Sequence, residues 1–250
     1  MRARALGKTH VGRKRKLNED SFLVDDELGL YLVADGMGGH AAGEVASAEA
    51  VSTAHGMVKQ ARSKLGALGQ NPNDGQIRGA LRLMESAIQA ATYMVYALSE
   101  LERDKSGMGT TITGMLVLGD HAVTAQVGDS RIYLVRDGEV AQITEDHTLI
   151  AWQLRQGIIT DDEARRSPHK NVITRAVGNR EYVEVDTSLV QLARGDRYLL
   201  CSDGLHGYLK TDEIPELAAL GGEAAVDAFI DLANTRGGKD NITAVLVEID

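Results

Sequence analysis

The chain has one cysteine in 250 residues, Cys201, so it has no intrachain disulfide framework and no cysteine-based zinc site. Cys201 lies in the run Tyr198-Leu199-Leu200-Cys201, the setting of a small core residue rather than of a reactive thiol. No apolar stretch approaches the roughly 18 residues that span a bilayer. The N-terminus lacks the continuous apolar segment of a secretory signal. A soluble, cytoplasmic protein with no membrane partner is expected. Internal repeats and low-complexity segments are absent. The nucleotide loop G-x-x-x-x-G-K-[ST] is missing, because Gly7-Lys8-Thr9 has Arg2 where the first glycine should stand. Gly36-Met37-Gly38 lacks the third glycine of a dinucleotide fingerprint. There is no G-x-S-x-G, and Ser130 and Ser202 each sit beside an aspartate, which argues against a serine nucleophile. His40, His147, His169 and His206 are scattered, and each taken alone reads as a surface or loop histidine.

Hydrophobic residues make up 43% of the chain and charged residues 25%, the balance of a globular protein long enough to bury a sizeable core. The net charge is −9, which argues against a nucleic-acid partner held by phosphate contacts. The charge is uneven. Residues 1–16 carry Arg2, Arg4, Lys8, Arg13, Lys14, Arg15 and Lys16 and no acid. This arm has two readings: a solvated basic tail, or a tail in which one or two cations face an anionic substrate.

Leu28 to Asp35 reads as a buried strand and Ala42 to Arg62 as a helix. Gly66 to Gly75 is a loop. Gln76 to Leu101 is a longer helix with one clear apolar face. From residue 110 the period becomes two: Thr110 to Leu118, His121 to Val127, Arg131 to Val135 and Val140 to Ile143 read as antiparallel strands. Gly119-Asp120 and Asp137-Gly138 are their hairpin turns. Residues 147–180 interrupt this run with short helical pieces, His147 to Gln156 and Asp161 to Arg166. Strands resume at Val183 to Val190 and Arg197 to Cys201. Helical segments at Asp212 to Leu220 and Glu223 to Thr235 precede a last strand, Ile242 to Ile249. Segregated helix pairs and strand runs favour α+β layering over a doubly wound parallel sheet.

Three apolar runs end on an aspartate: Leu28 to Ala34 into Asp35, Ala122 to Gly128 into Asp129, and Tyr198 to Ser202 into Asp203. A fourth, Asp240, sits in a turn just before Ile242 to Ile249. Carboxylates delivered to one end of a sheet build a cage for Mg²⁺, Mn²⁺ or Ca²⁺. The chain holds four Asp-Gly pairs, which otherwise mark turns. Asp137-Gly138 lies between alternating strands and Asp74-Gly75 in a polar loop, so both read as plain turns. Asp35-Gly36 and Asp203-Gly204 follow apolar runs and lead into no returning strand. Three glycines in Gly36-Met37-Gly38-Gly39 let backbone approach a ligand closely. Two cations on shared carboxylates can activate a water and clamp a phosphoryl oxygen, which points to phosphate-ester hydrolysis with no covalent intermediate.

Together these motifs resemble the metal-dependent protein phosphatases of type 2C, in particular the bacterial serine/threonine branch. The matching pieces occur in family order: Arg15-Lys16-Leu17-Asn18-Glu19-Asp20, Ala34-Asp35-Gly36-Met37-Gly38-Gly39-His40, Gly107-Met108-Gly109-Thr110-Thr111, Gly128-Asp129-Ser130-Arg131, Ser202-Asp203-Gly204-Leu205 and Lys239-Asp240-Asn241-Ile242-Thr243. The resemblance implies a four-layer αββα sandwich, two antiparallel sheets flanked by helix pairs, forming one catalytic domain over 1–250 with a flap at about 147–180. It implies hydrolysis of phosphoserine and phosphothreonine on proteins by a metal-activated water, with two Mn²⁺ or Mg²⁺ ions and a third, weaker one. By resemblance, Asp35 bridges two metals, the Gly36 carbonyl binds the second, and Asp203 and Asp240 bind the first. Asp129 helps hold the third, Glu19 and Asp20 act through water, and Arg15 grips the phosphate. Met37 stands where animal members carry a histidine proposed as general acid, so His40, three residues on, is the candidate donor. Gly207 stands where many members have an acid. In the flap, Arg155, Arg165, Arg166, Lys170 and Arg175 either steer an acidic phosphopeptide or form a solvated surface. The implied partners are phosphorylated proteins and a serine/threonine kinase, and the chain is expected to act as a monomer. The competing readings are a pseudophosphatase that binds phosphoproteins without hydrolysis and a small-molecule phosphatase.

Overall fold

The computed structural model describes residues 1–38, 42–169 and 172–250. Its strands are β1 Ala3–His10, β2 Asp20–Asp25, β3 Leu30–Met37, β4 Gly109–Thr110, β5 Ile112–Leu118, β6 His121–Val127, β7 Arg131–Arg136, β8 Glu139–Gln142, β9 Asp186–Gln191, β10 Arg197–Cys201 and β11 Ile242–Ile249. Its α-helices are α1 Gly43–Ala61, α2 Asp74–Leu101, α3 Leu149–Arg155, α4 Asp161–Arg166, α5 Asp203–His206, α6 Ile214–Ala219 and α7 Gly222–Thr235.

One sheet runs β1-β11-β10-β7-β8 and the other β2-β3-β5-β6-β9, with β4 paired to the end of β3. All the named pairings are antiparallel. Three apolar cores separate four layers, as the αββα expectation requires. Tyr31, Val33, Met115, Tyr198, Leu200 and Val247 fill the space between the sheets. Leu32, Leu116 and Val123 pack outward against Ala50, Val58, Met84 and Ile88 of α1 and α2. Leu199, Ala244 and Leu246 pack against Ala218, Val226 and Phe229 of α6 and α7. Strands buried on both faces read as continuous apolar runs, and each large side chain removed from water contributes about 1.5–3 kcal/mol. α2 starts on a capping box in which Asn73 and Gln76 satisfy each other's backbone N–H groups.

The structure adds two strands where the sequence suggests none, and they correct the reading of the basic arm. β1 points Ala3 and Ala5 inward and Arg4, Leu6 and Lys8 outward. A Cβ on Gly7 would meet the Phe22 ring at 2.5 Å. The inward positions are small because β2 crosses closely there, so the alternation carries almost no hydrophobic signal. The sequence names no turn for the β6–β7 connection. It is no hairpin: β6 and β7 belong to different sheets, so Gly128-Asp129-Ser130 carries the chain between layers. The Asp137-Gly138 hairpin is as expected, with φ of 53° and 81°.

Candidate active site

The acids meet at one end of the sandwich because the strands that carry them start or stop there. Asp20 opens β2 and pairs in register with Asp35 of β3. Asp203 follows β10, Asp240 precedes β11, and Asp129 sits on the crossing between sheets. β3 does not end at Asp35 as expected; it continues to Met37, with Gly36 opposite Thr110 of β4. Gly36 is needed for close approach instead, since a Cβ there would lie 2.1 Å from the Gly43 carbonyl oxygen and 2.5 Å from that of Glu19. Gly204 likewise lets the Asn241 carbonyl come within 1.8 Å of where its Cβ would be, which seats Asp203 beside the Asp240 turn.

Asn241 fastens the loop that brings in Arg15. Its Nδ2 donates to the carbonyls of Val11 (3.0 Å) and Leu17 (2.9 Å), and its Oδ1 accepts from the Glu19 N–H (2.8 Å). Arg15 Nη2 then donates to Asp240 Oδ2 at 2.8 Å, and Nη1 lies 3.9 Å from Glu19. Of the basic arm, Arg15 is the cation that reaches the acids; Lys8 instead pairs with Asp227 of α7. Arg15, Glu19, Gly36 and Met37 line a cavity of about 480 Å³.

The carboxylates are short of positive charge. Burial, then Asp20, Asp203, Asp129 and Asp240, push the Asp35 carboxyl well above the usual range. Burial, then Asp240, raises Asp203 too. Asp129 is pushed up to about 7 by burial and by Asp203. Asp20 is also pushed up to about 7 by burial, against the pull of hydroxyls on its Oδ2 from Ser202 (2.7 Å) and Thr243 (2.6 Å). Its other oxygen, Oδ1, is buried without a partner. Glu19 is raised by burial, opposed by Arg15.

Among the described residues, no three His, Cys, Asp or Glu side chains converge as a finished cation site. One Asp240 oxygen holds Arg15 and the other accepts its neighbour's amide, Asn241 N–H. The donor chemistry nevertheless fits hard divalent cations. The set is all oxygen, its members repel one another in a buried space, and Asp20 Oδ1 has nothing else to bind.

The backbone around Asp35 is held by threonines. Thr111 N–H and Thr110 Oγ1 both donate to the Asp35 carbonyl at 2.9 Å, and Asp35 N–H donates to Thr111 Oγ1 at 3.0 Å. Two histidines of the scattered set belong to the site's frame. His206 Nε2–H donates to the Asp129 carbonyl at 2.9 Å, and burial, then Arg131, pushes His206 down to about 3. His147 is 2% exposed and bonds Gly128. Their isolation in the sequence conceals this. His40 and Lys170 lie outside the described residues.

The flap's basic residues divide. Arg175 is held by Asp186 (2.7 Å) and Glu184 (3.0 Å), and Arg155 by Glu145. Arg165 and Arg166 are exposed on the last turn of α4. Gly207 is exposed and donates its N–H to the Asp203 carbonyl at 2.8 Å.

The sequence profile of the family described as protein phosphatase 2C matches residues 6–248. The chain belongs to the protein phosphatase 2C family. Within it, the chain is 40% identical over 250 residues to the serine/threonine phosphatase stp of Listeria monocytogenes serovar 1/2a, covering 97% of this chain and 94% of that protein. It is 37% identical over 244 residues to the serine/threonine protein phosphatase PstP of Mycobacterium tuberculosis, covering 95% of this chain and 43% of that one. The crystal structure of the Mycobacterium tuberculosis phosphatase PstP/Ppp superposes with a TM-score of 0.87 at 35% identity, covering 100% of both chains. A PstP catalytic domain in complex with two manganese ions superposes at 0.83 with 34% identity, covering 99% of each.

Proposed function

We propose that the chain is a metal-dependent protein phosphatase that hydrolyses phosphoserine and phosphothreonine on proteins. The observation that carries this is the gathering of Asp20, Asp35, Asp129, Asp203 and Asp240 at one end of the sandwich, with the Arg15 guanidinium on the same rim. Family relatives named serine/threonine phosphatases, and a family structure in complex with two manganese ions, support it.

Asp35, Asp203 and Asp240 would hold one cation. Asp35 and the Gly36 carbonyl would hold a second, and Asp129 with Asp203 a third, weaker one. Mn²⁺ or Mg²⁺ suits this oxygen set. When bound, the cations supply charge neutralisation at the phosphoryl oxygens and activation of a water. Asp20 and Glu19 orient water around that set, Asp20 through its unpartnered Oδ1. Arg15 exchanges Asp240 for the substrate phosphate, to which its planar fork donates two bonds. His40 is the candidate donor of a proton to the leaving alkoxide.

Residues 1–250 act as one catalytic unit, a cytoplasmic monomer, with 147–180 as a flap over the substrate. Among the described residues no helix is long and apolar enough to cross a membrane. The substrates are phosphoproteins made by a serine/threonine kinase.

The test is phosphate release from a phosphothreonine peptide with Mn²⁺, with Mg²⁺ and with chelator, beside the Asp35→Asn variant. Metal-dependent release by the wild type alone is expected. Release that persists in chelator or in Asp35→Asn would overturn the reading.

A further inference from the structure

The turn that bears Asp129 is held by its carbonyls. Gln126 Nε2 donates to the Gly128 carbonyl at 2.9 Å and to that of Ser130 at 2.6 Å. Thr113 Oγ1 also donates to Ser130 O, at 3.0 Å, and His206 holds the Asp129 carbonyl. Gly128 has a φ of 106°, and a Cβ there would lie 2.5 Å from the Thr111 side chain, so the turn has little room to move on that side.

His147 closes the remaining side. Its N–H donates to the Gly128 carbonyl at 2.9 Å, and the Gly128 N–H donates back to His147 Nδ1 at 3.1 Å. Because Nδ1 accepts, the neutral ring carries its proton on Nε2, which faces Asp186 Oδ2 at 3.1 Å and also lies 3.2 Å from Arg175 Nη1. On its far side the His147 carbonyl accepts from Thr174 N–H at 2.8 Å, and Arg175 donates to Asp186 Oδ1 at 2.7 Å. One buried imidazole therefore joins the Asp129 turn to the returning end of the 147–180 insert.

The geometry points to His147 as a positioning residue: its Nδ1 sets the Gly128–Asp129 turn, and its Nε2 ties that turn to the insert through Asp186. This rests on the reading of Asp129 as a cation ligand. The two ring nitrogens then have separable effects. Losing the Nδ1 bond frees the turn and weakens the cation that Asp129 helps hold. Losing the Nε2 bond loosens the insert and weakens grip on the phosphoprotein.

Two substitutions separate these bonds. His147→Asn places a carboxamide oxygen where Nδ1 accepts but cannot reach Asp186. His147→Gln reaches Asp186 and leaves Gly128 N–H without its acceptor. Groups that orient ligands from behind typically change metal affinity by about 10–100-fold. His147→Gln should weaken the weakest Mn²⁺ site by roughly that factor in calorimetry on the full chain, as should Asp129→Asn. His147→Asn should keep Mn²⁺ affinity and raise the KM for a phosphothreonine peptide. Asp186→Ala, at a partly exposed side chain, should copy His147→Asn. Unchanged Mn²⁺ affinity in His147→Gln, or an equal loss in His147→Asn, would overturn the assignment. If His147→Gln does not fold, Asp186→Ala decides, and an unchanged KM overturns the link to the insert. Unchanged Mn²⁺ binding in Asp129→Asn would overturn the cation role of Asp129 itself and separates that failure from a failure of His147.

Discussion

Replacing Asp20 by asparagine should stabilise the metal-free protein while damaging its activity. Asp20 is 7% exposed, and burial pushes its carboxyl from 3.8 up to about 7. A carboxyl whose folded value is raised destabilises the fold once the unfolded chain ionises. The penalty is absent below about pH 4, grows as pH rises, and is complete above pH 7. Three units correspond to roughly 4 kcal/mol as a ceiling, which water reaching the metal-free cage reduces. Asparagine keeps an oxygen for Ser202 and Thr243 and turns an NH₂ group, in place of the partnerless Oδ1, toward neighbouring carboxylates. Half the ceiling, about 2 kcal/mol, raises Tm by roughly 4–8 °C in a chain of this size. The assay is thermal unfolding in chelator at pH 8 and pH 5, followed by Mn²⁺ addition. The variant should gain at pH 8, gain much less at pH 5, and be stabilised less by Mn²⁺ than the wild type. An Asp20→Asn protein no more stable than wild type at pH 8 would refute the idea of a charge-starved cage.

Two further outcomes follow from contacts at the rim and floor. Arg15→Ala should lower kcat/KM by about 10–100-fold, the worth of hydrogen bonds to a charged group, with the loss mainly in KM; steady-state kinetics on a phosphopeptide checks it. Gly36→Ala puts a methyl group 2.1 Å from the Gly43 carbonyl oxygen, so β3 and the start of α1 must part. A loss of about 1–3 kcal/mol in urea unfolding, together with lost Mn²⁺ affinity, is expected.

The long elements were legible because their periodicity was strong. α2 and β6, β10 and β11 lie where the pattern puts them, within a residue or two. β1 was hidden because its inward residues are alanine and glycine, chosen by the closeness of Phe22 rather than by hydrophobicity. The switch of sheets at Gly128–Ser130 was hidden because an antiparallel hairpin and a crossing look alike over three residues. The acids were visible because each ends or begins an apolar run. Their supports were not: Asn241, Ser202, Thr243, His147 and His206 act through hydrogen bonds between segments distant in sequence, which no local spacing records.

The most direct measurement pairs Mn²⁺ calorimetry with phosphate release from a phosphothreonine peptide, on wild type and Asp35→Asn. The wild type should bind more than one Mn²⁺ ion and release phosphate only when loaded, and Asp35→Asn should lose both. A wild type that binds the peptide without Mn²⁺ uptake or turnover, or an Asp35→Asn protein that still turns over, would contradict the account.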